Sequence, residues 1–266
     1  MTPKTFFRSK LLCPNTWLIQ GEGSNSYLLV GDKKGVVIDT GFAVENIQKY
    51  AQTLTEKPVK MAANTHGHFD HTGGNGWFTY AYMSPKALDI AKTPYPSLDA
   101  SKYSTNYLVT LVGDGNTIDL GNRVLEVIEI PAHAPSSIAF LDRKERILFT
   151  GDEVDTFAML VWMQDEPQPS IEQHAKNMKK LLAHRSEFDF VCAGHELVMA
   201  DASVVEDYLE NDLRIMSGIE GEPMVLNPDG PKDFHIFQIE YKRTSKYKST
   251  GLGYDIRYIR NESLRN

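Results

Sequence analysis

The chain has 266 residues, 41% of them hydrophobic and 24% charged, with a formal net charge of −7 and a pI of about 5.6. These proportions exclude a disordered, fibrous or low-complexity chain. The acidic balance argues against a general nucleic-acid or anionic-membrane binder, since both rely on clustered basic residues. Two cysteines, Cys13 and Cys192, are too few for a disulfide scaffold, and a chain of this length buries a large core without one. The N-terminal stretch lacks the apolar centre of a signal peptide, and no apolar run reaches the ~20 residues of a membrane span. A cytoplasmic protein acting on a small molecule, with neither nucleic acid nor membrane as partner, is the expectation.

In chain order, apolar runs at Trp17–Ile19, Asn25–Val30 and Gly35–Asp39, parted by glycine-containing turns, predict strands. Apolar residues at helical spacing predict a helix over Val44–Thr55, closed by Pro58. Strands follow at Lys60–Asn64 and Tyr80–Met83, and Ser84-Pro85 opens a helix. Residues 92–108 read as an irregular surface excursion, and Val109–Leu120 as a hairpin around Gly113–Asn116. Val124–Ile130, Ile138–Leu141 and Ile147–Phe149 are further strands. An amphipathic helix over Ser170–His184 begins at a capping box formed by Ser170 and Gln173. Phe188–Cys192 is a strand, Asp201–Ile219 a helix capped by Asp201, and His235–Tyr241 and Leu252–Ile259 are closing strands. Strands come in two blocks, each followed by helices, with no repeat and no dividing linker. That pattern predicts one domain over residues 1–266, a two-sheet sandwich with helices outside.

The sharpest motif is Thr65-His66-Gly67-His68-Phe69-Asp70-His71-Thr72-Gly73-Gly74, directly after an apolar strand. Three imidazoles and a carboxylate within six residues suit zinc, iron or manganese. His66 and His68, two apart, project to the same side of extended backbone, while Asp70 and His71 aim from the following turn at a second point. One four-coordinate ion cannot easily take four ligands from so short a segment, so two ions are the simpler solution. Three further candidates end apolar strands: His133 in Pro131-Ala132-His133-Ala134-Pro135, Asp152 in Phe149-Thr150-Gly151-Asp152, and His195 in Ala193-Gly194-His195-Glu196.

This ordered set resembles the metallo-β-lactamase superfamily, its glyoxalase II-like and lactonase-like hydrolases especially. THGHFDHTGG is similar to the family's THxHxDHxGG signature. PAHAPSS resembles its GHTPGS segment, with Ala132 where glycine is usual and Ala134 where threonine is usual. FTGDE and AGHE resemble its two later motifs, and NSYLLVGDKKGVVIDTG its opening hairpin and Asp-x-Gly turn. The resemblance covers roughly residues 16–200. It implies an α/β fold: an αββα sandwich of two mixed β-sheets flanked by helices, with metals at one edge. Carried over by position, it gives His66, His68 and His133 to one ion, Asp70, His71 and His195 to the other, and makes Asp152 the bridge.

The expected chemistry is that of a binuclear metal-dependent hydrolase. Two divalent ions, zinc first with iron or manganese next, hold a bridging hydroxide that attacks an ester, thioester, lactone or similar small substrate. Asp152 and Asp70 are the catalytic carboxylates, Asp70 as a donor that can return a proton to the leaving group. Alternatives on the same scaffold are a phosphodiesterase or nuclease, a β-lactamase, iron-dependent redox chemistry, and a metal-binding module without turnover. The net charge of −7 counts against the nuclease. The zinc β-lactamases with a cysteine ligand place it where this chain has Asp152. Flavodiiron proteins have glutamate at the position of His68. Cys192 reads as an inert buried thiol, Asn25 as a turn or sheet hydrogen bonder, and Asp39 as support for the site. His174, His184 and His235 read as surface or sheet residues. Tyr95, Tyr103, Tyr107, Phe157, Trp162 and Tyr254 are candidates for a substrate wall, each more readily explained by packing. Substrate selectivity is expected to lie in residues 92–108, 153–169 and the C-terminal tail.

Overall fold

The computed structural model describes residues 6–93, 103–156, 158–159, 169–223 and 241–261. Strands β1 (Arg8–Cys13), β2 (Thr16–Gln20), β3 (Ser26–Val30), β4 (Gly35–Ile38), β5 (Val59–Ala63), β6 (Tyr80–Met83) and β7 (Leu108–Leu111) form one sheet in that order. It is antiparallel from β1 to β4 and parallel from β4 to β7. The second sheet is built from β8 (Thr117–Asp119), β9 (Val124–Glu129), β10 (Ile138–Asp142), β11 (Ile147–Gly151), β13 (Phe190–Ala193) and β14 (Ala200–Asp201), in the order β14-β13-β11-β10-β9-β8. Among the described residues β11 pairs with β13 in parallel and the other pairs of this sheet are antiparallel. A third sheet, ordered β12-β17-β16-β15, joins β12 (Ala158–Met159), β15 (Glu222–Pro223), β16 (Lys242–Tyr247) and β17 (Thr250–Asp255).

Strand alternation sorts the apolar residues into layers. Tyr27, Leu29, Val36 and Ile38 of the first sheet meet Val127, Ile138, Phe140 and Phe149 of the second in the central core. The intervening residues Leu28, Val30 and Val37 face outward, onto Ile47 and Ala51 of α1 (Ile47–Gln52). The outer face of the second sheet, with Ile128, Leu141 and Leu148, is covered by Met178 and Leu181 of α4 (Ile171–Leu182) and Val205 and Tyr208 of α5 (Val204–Met216). The third sheet joins that layer through Leu252 and Tyr254. The αββα sandwich of two mixed sheets is therefore present, with a small third sheet beside it in which β17 overlaps the closing strand expected at Leu252–Ile259.

Several local expectations are corrected. The first helix starts at Ile47, not Val44, because the Asn46 side chain accepts from the Lys49 N–H at 2.8 Å and caps it there. The proposed hairpin over Val109–Leu120 is a crossover between sheets: β7 pairs with β6, whereas β8 pairs with β9. The Gly115 and Val127 amides bond to Val127 and Asn116 carbonyls, which draws the turn to the second sheet. Asp201 lies in β14, and the residue before α5 is Ser203, whose amide donates to Asp201 Oδ1 at 2.9 Å. The last strand ends at Asp255, whose carboxylate accepts from the Arg257 amide and starts a short 3₁₀ turn. The strand expected at His235–Tyr241 lies outside the described residues up to position 240.

Two buried ion pairs went unread in the sequence. Arg123, 2% exposed, joins the sheets: it donates to Asp142 at 2.5 and 2.8 Å, to the Asn15 carbonyl at 2.7 Å and to Thr16 Oγ1 at 2.7 Å. Arg123→Ala strands the Asp142 carboxylate and is expected to cost about 3–5 kcal/mol in denaturant unfolding, partly recovered by Arg123→Met with Asp142→Leu. An unchanged midpoint in the single variant would contradict that. His174, read from the sequence as a surface or sheet residue, is instead fully buried between α4 and α5, with Nδ1 2.8 Å from Asp212. Burial opposes its charge, but the Asp212 carboxylate outweighs that, and the imidazole pKa is pushed up to about 9. Its stabilising charge is complete below the ordinary imidazole range and lost as pH rises through that value. The stability advantage of the wild type over Asp212→Asn should therefore shrink between about pH 6 and about pH 10. A pH-independent difference would show that the pair is neutral.

Candidate metal centre

The site forms where strand ends from both sheets meet. β10 is antiparallel to β9 and β11, and β13 is parallel to β11, so β9, β11 and β13 run in one direction. Their C-terminal ends deliver His133, Asp152 and His195 to one edge. The first sheet reaches the same edge through β5, which runs into His66 and His68, and through α2 (Phe69–Thr72), which carries Asp70 and His71. Cross-sheet hydrogen bonds clamp the edges: Ile138 N to Thr65 O at 2.8 Å, Asn25 N to Gly194 O at 2.6 Å and Tyr27 OH to Ala193 O at 2.7 Å.

All seven residues singled out from the sequence converge. His68 Nδ1 lies 3.0 Å from His66 Nε2 and 3.1 Å from His133 Nε2, and these three are buried. Asp70 Oδ2 lies 3.5 Å from Nε2 of both His71 and His195. Asp152 stands between the groups. Its Oδ1 is 3.3 Å from His71 Nε2, and its Oδ2 is 3.3 Å from His195 Nε2 and 3.6 Å from His133 Nε2. Donor atoms within 4.8 Å of one another form the sets His66/His68/His133, His66/His71/Asp152 and Asp70/His71/His195. Two ligands each about 2.1 Å from a tetrahedral ion stand roughly 3.4 Å apart, which is the spacing seen here.

The chemistry of the donors also fits a metal. His71 Nε2 and Asp152 Oδ1 are buried without a hydrogen-bond partner. Thr65 Oγ1 donates to Asp39 Oδ2 at 2.8 Å and so accepts from His66 Nδ1 at 3.1 Å, leaving His66 Nε2 with a bare lone pair. His71 Nδ1 donates to Asp39 Oδ2 at 2.9 Å, which aims its Nε2 at the cluster, where a bound cation would take the place of the proton. His68 Nδ1 faces the Nε2 atoms of His66 and His133 at 3.0 and 3.1 Å, so with these nitrogens deprotonated the three rings present one converging set of donors to a cation. Burial, with His71 and His68 nearby, holds the His66 imidazole well below its usual pKa. Burial and His133 bring His68 down to about 3. Burial opposes charge on His71, but Asp152, Asp70 and Asp39 outweigh it and hold that ring well above the usual value. Burial likewise opposes charge on Asp152, but His71, His195 and His133 together keep it well below the carboxylate range.

Two glycines make room beside the donors. Gly151, at φ +56°, packs a would-be Cβ into the Thr65 side chain. At Gly194 a Cβ would overlap Asp152 Oδ1 and approach His71 Cε1 to 2.8 Å. Asp39 supports the site as expected, holding His71 and accepting the Thr65 amide at 2.9 Å. Asn25 binds the His195 carbonyl through Nδ2 at 2.5 Å. Cys192 is buried in the central core, its Sγ accepting from the Met199 amide, and burial pushes its thiol up to about 12. Among the proposed wall residues, Tyr103 and Tyr107 both donate to the Ala91 carbonyl, and Tyr254 packs in the outer layer with its hydroxyl accepting from Gly221 N. They pack the fold. Tyr95, Phe157, Trp162 and His235 lie outside the described residues, and His184 bonds Glu187 at 3.1 Å. Two acidic residues that the sequence reading passed over, Glu153 and Asp155, are buried beside Asp152.

Fold and site together define an αββα sandwich protein with a donor set suited to divalent metal. The sequence profile described as the metallo-beta-lactamase superfamily matches residues 19–195, and the chain belongs to that superfamily. It is similar to a human (Homo sapiens) protein named acyl-coenzyme A thioesterase MBLAC2, 27% identical over 210 residues, 66% of this chain and 74% of the relative. It is also similar to an atrochrysone carboxyl ACP thioesterase of Aspergillus chevalieri, 28% identical over 148 residues, 54% of this chain and 44% of that one. A solved metallo-beta-lactamase from Pontibacter korlensis shares the fold at a TM-score of 0.60 and 19% identity, over 77% of this chain and 97% of that one.

Asp39 fixes which nitrogen of His71 faces the cluster. Asp39→Ala is expected to weaken metal retention about 10- to 100-fold with the circular dichroism spectrum unchanged. Competition against a chelator measures this, and unaltered retention would remove Asp39 from the support of the site.

Proposed function

We propose that this hydrolase cleaves thioesters of small acyl substrates at a two-ion centre. In this reading His66, His68 and His133 hold one ion, Asp70, His71 and His195 the other, and Asp152 bridges. The observation that carries it is the position of Asp152, whose Oδ2 lies 3.6 Å from His133 of the first group and 3.3 Å from His195 of the second, while Oδ1 lies 3.3 Å from His71. Zinc is the first choice for a nitrogen and oxygen donor set, with iron or manganese next. When bound, two such ions supply Lewis acidity and a water activated near neutral pH.

The chain's own residues supply the rest. The first group is sealed, whereas the His195 side chain is 41% exposed and that of Asp70 21%, so substrate approaches from the His195 side. Asp70 sits at that open rim, where the carboxylate oxygen not used toward the ion can pass a proton to the departing group. A thioester asks little of such a donor, because a thiol leaving group has a pKa of about 8.5 and departs readily as the anion. Support for a thioester comes from the two relatives whose names specify thioesterases. None of the described helices is long and apolar enough to cross a membrane. The free thiols of Cys13 and Cys192 agree with a reducing, cytoplasmic setting.

Metal analysis joined to a panel of acyl thioesters, oxygen esters, lactones, phosphodiesters and β-lactams tests the reading. About two ions per chain and fastest turnover of thioesters are expected. Asp152→Asn should keep the fold but lose the second ion and at least ~100-fold in activity. Full occupancy and activity in that variant would refute the bridge, and preference for another substrate class would refute the thioester assignment.

A further inference from the structure

The turn after β11 places three carboxyl groups within four residues, Asp152, Glu153 and Asp155, and they point to three different places. Asp152 enters the metal centre. Glu153 is fully buried, and its Oε1 accepts from the amides of Ala132 and His133, both at 2.7 Å. Asp155, 4% exposed, accepts from the amide of His195 through Oδ2 at 2.7 Å, and from those of Glu196 and Leu197 through Oδ1, both at 3.0 Å. Each therefore grips the backbone of a loop that delivers one outer histidine, at the amide of that histidine itself.

The grip has a firm base. The Glu153 carbonyl accepts from His174 Nε2 at 3.0 Å, and His174 is held by Asp212 of α5. The Asp155 carbonyl accepts from Tyr208 OH, also of α5. The His133 loop has alanine at positions 132 and 134, so its own side chains there offer no hydrogen bond, and Glu153 supplies two from outside. Burying two extra carboxyl groups beside Asp152 is costly. A turn that merely closed would satisfy the same amides with a neutral side chain.

We propose that Glu153 and Asp155 are positioning residues that act separably, Glu153 on the group containing His133 and Asp155 on the group containing His195. The proposal rests on the two-ion reading above. Together with Asp152 they let a single turn set the distance between the two halves of the centre.

Titration of metal-free protein with cobalt(II), followed by its absorption, tests this without reference to turnover. His133→Ala and His195→Ala identify which step belongs to which group. Glu153→Ala should weaken the His133 step about 10- to 100-fold and leave the His195 step within about three-fold. Asp155→Ala should do the reverse. Glu153→Gln, whose carbonyl can still accept both amides, should recover most of the loss. If the alanine variants do not fold, Glu153→Gln and Asp155→Asn should still each weaken only their own step, by a few-fold. Equal weakening of both steps by either variant, or of neither, would overturn the proposal. A wild type that binds one ion would refute the two-ion reading, and with it the separable action, and this is seen before any variant is made.

Discussion

The structure depends on one electrostatic constraint: several imidazoles and two carboxylates must be held within a few ångströms of one another at the edge of a sandwich. His68 Nδ1 faces the Nε2 atoms of His66 and His133 at 3.0 and 3.1 Å, and Asp152 closes the set against His71 and His195. A divalent cation among them would meet several nitrogen and oxygen donors at once. The surrounding protein is arranged to prevent its collapse. Asp39 and Thr65 direct protons away from the cluster, Gly194 leaves room for Asp152, and cross-sheet bonds from Asn25, Tyr27 and Ile138 stop the edges from parting.

Rigidity is distributed unevenly, in a way that suits catalysis. His66, His68 and His133 are sealed by the core, while His195 and Asp70 stand at the open rim. Behind the rim, α4 and α5 reach the β11 turn through His174, Asp212 and Tyr208. The outer helices thus do more than cover the second sheet, since they brace the turn from which Asp152, Glu153 and Asp155 spread. Arg123 plays a comparable part on another flank, with one guanidinium serving both sheets.

The primary structure determined a great deal. Short apolar runs placed β2 to β6 and β9 to β11 to within a residue or two at most boundaries, because burial on both faces leaves a continuous apolar pattern. The donors His66, His68, Asp70 and His71 were legible because they crowd into one short motif after an apolar strand, and His133, Asp152 and His195 because each follows the end of an apolar strand within two residues of glycine or proline. What only the tertiary structure decided are the relations between distant segments. β7 and β8 separate into different sheets because pairing partners, not the intervening turn, choose their neighbours. His174 is buried because Asp212, 38 residues away, meets it there. Glu153 and Asp155 carry no local mark that separates them from solvent-facing acids, since their partners are backbone amides of remote loops and every residue but proline has one. Side-chain chemistry is written locally, whereas its positioning is a property of chain segments brought together from far apart.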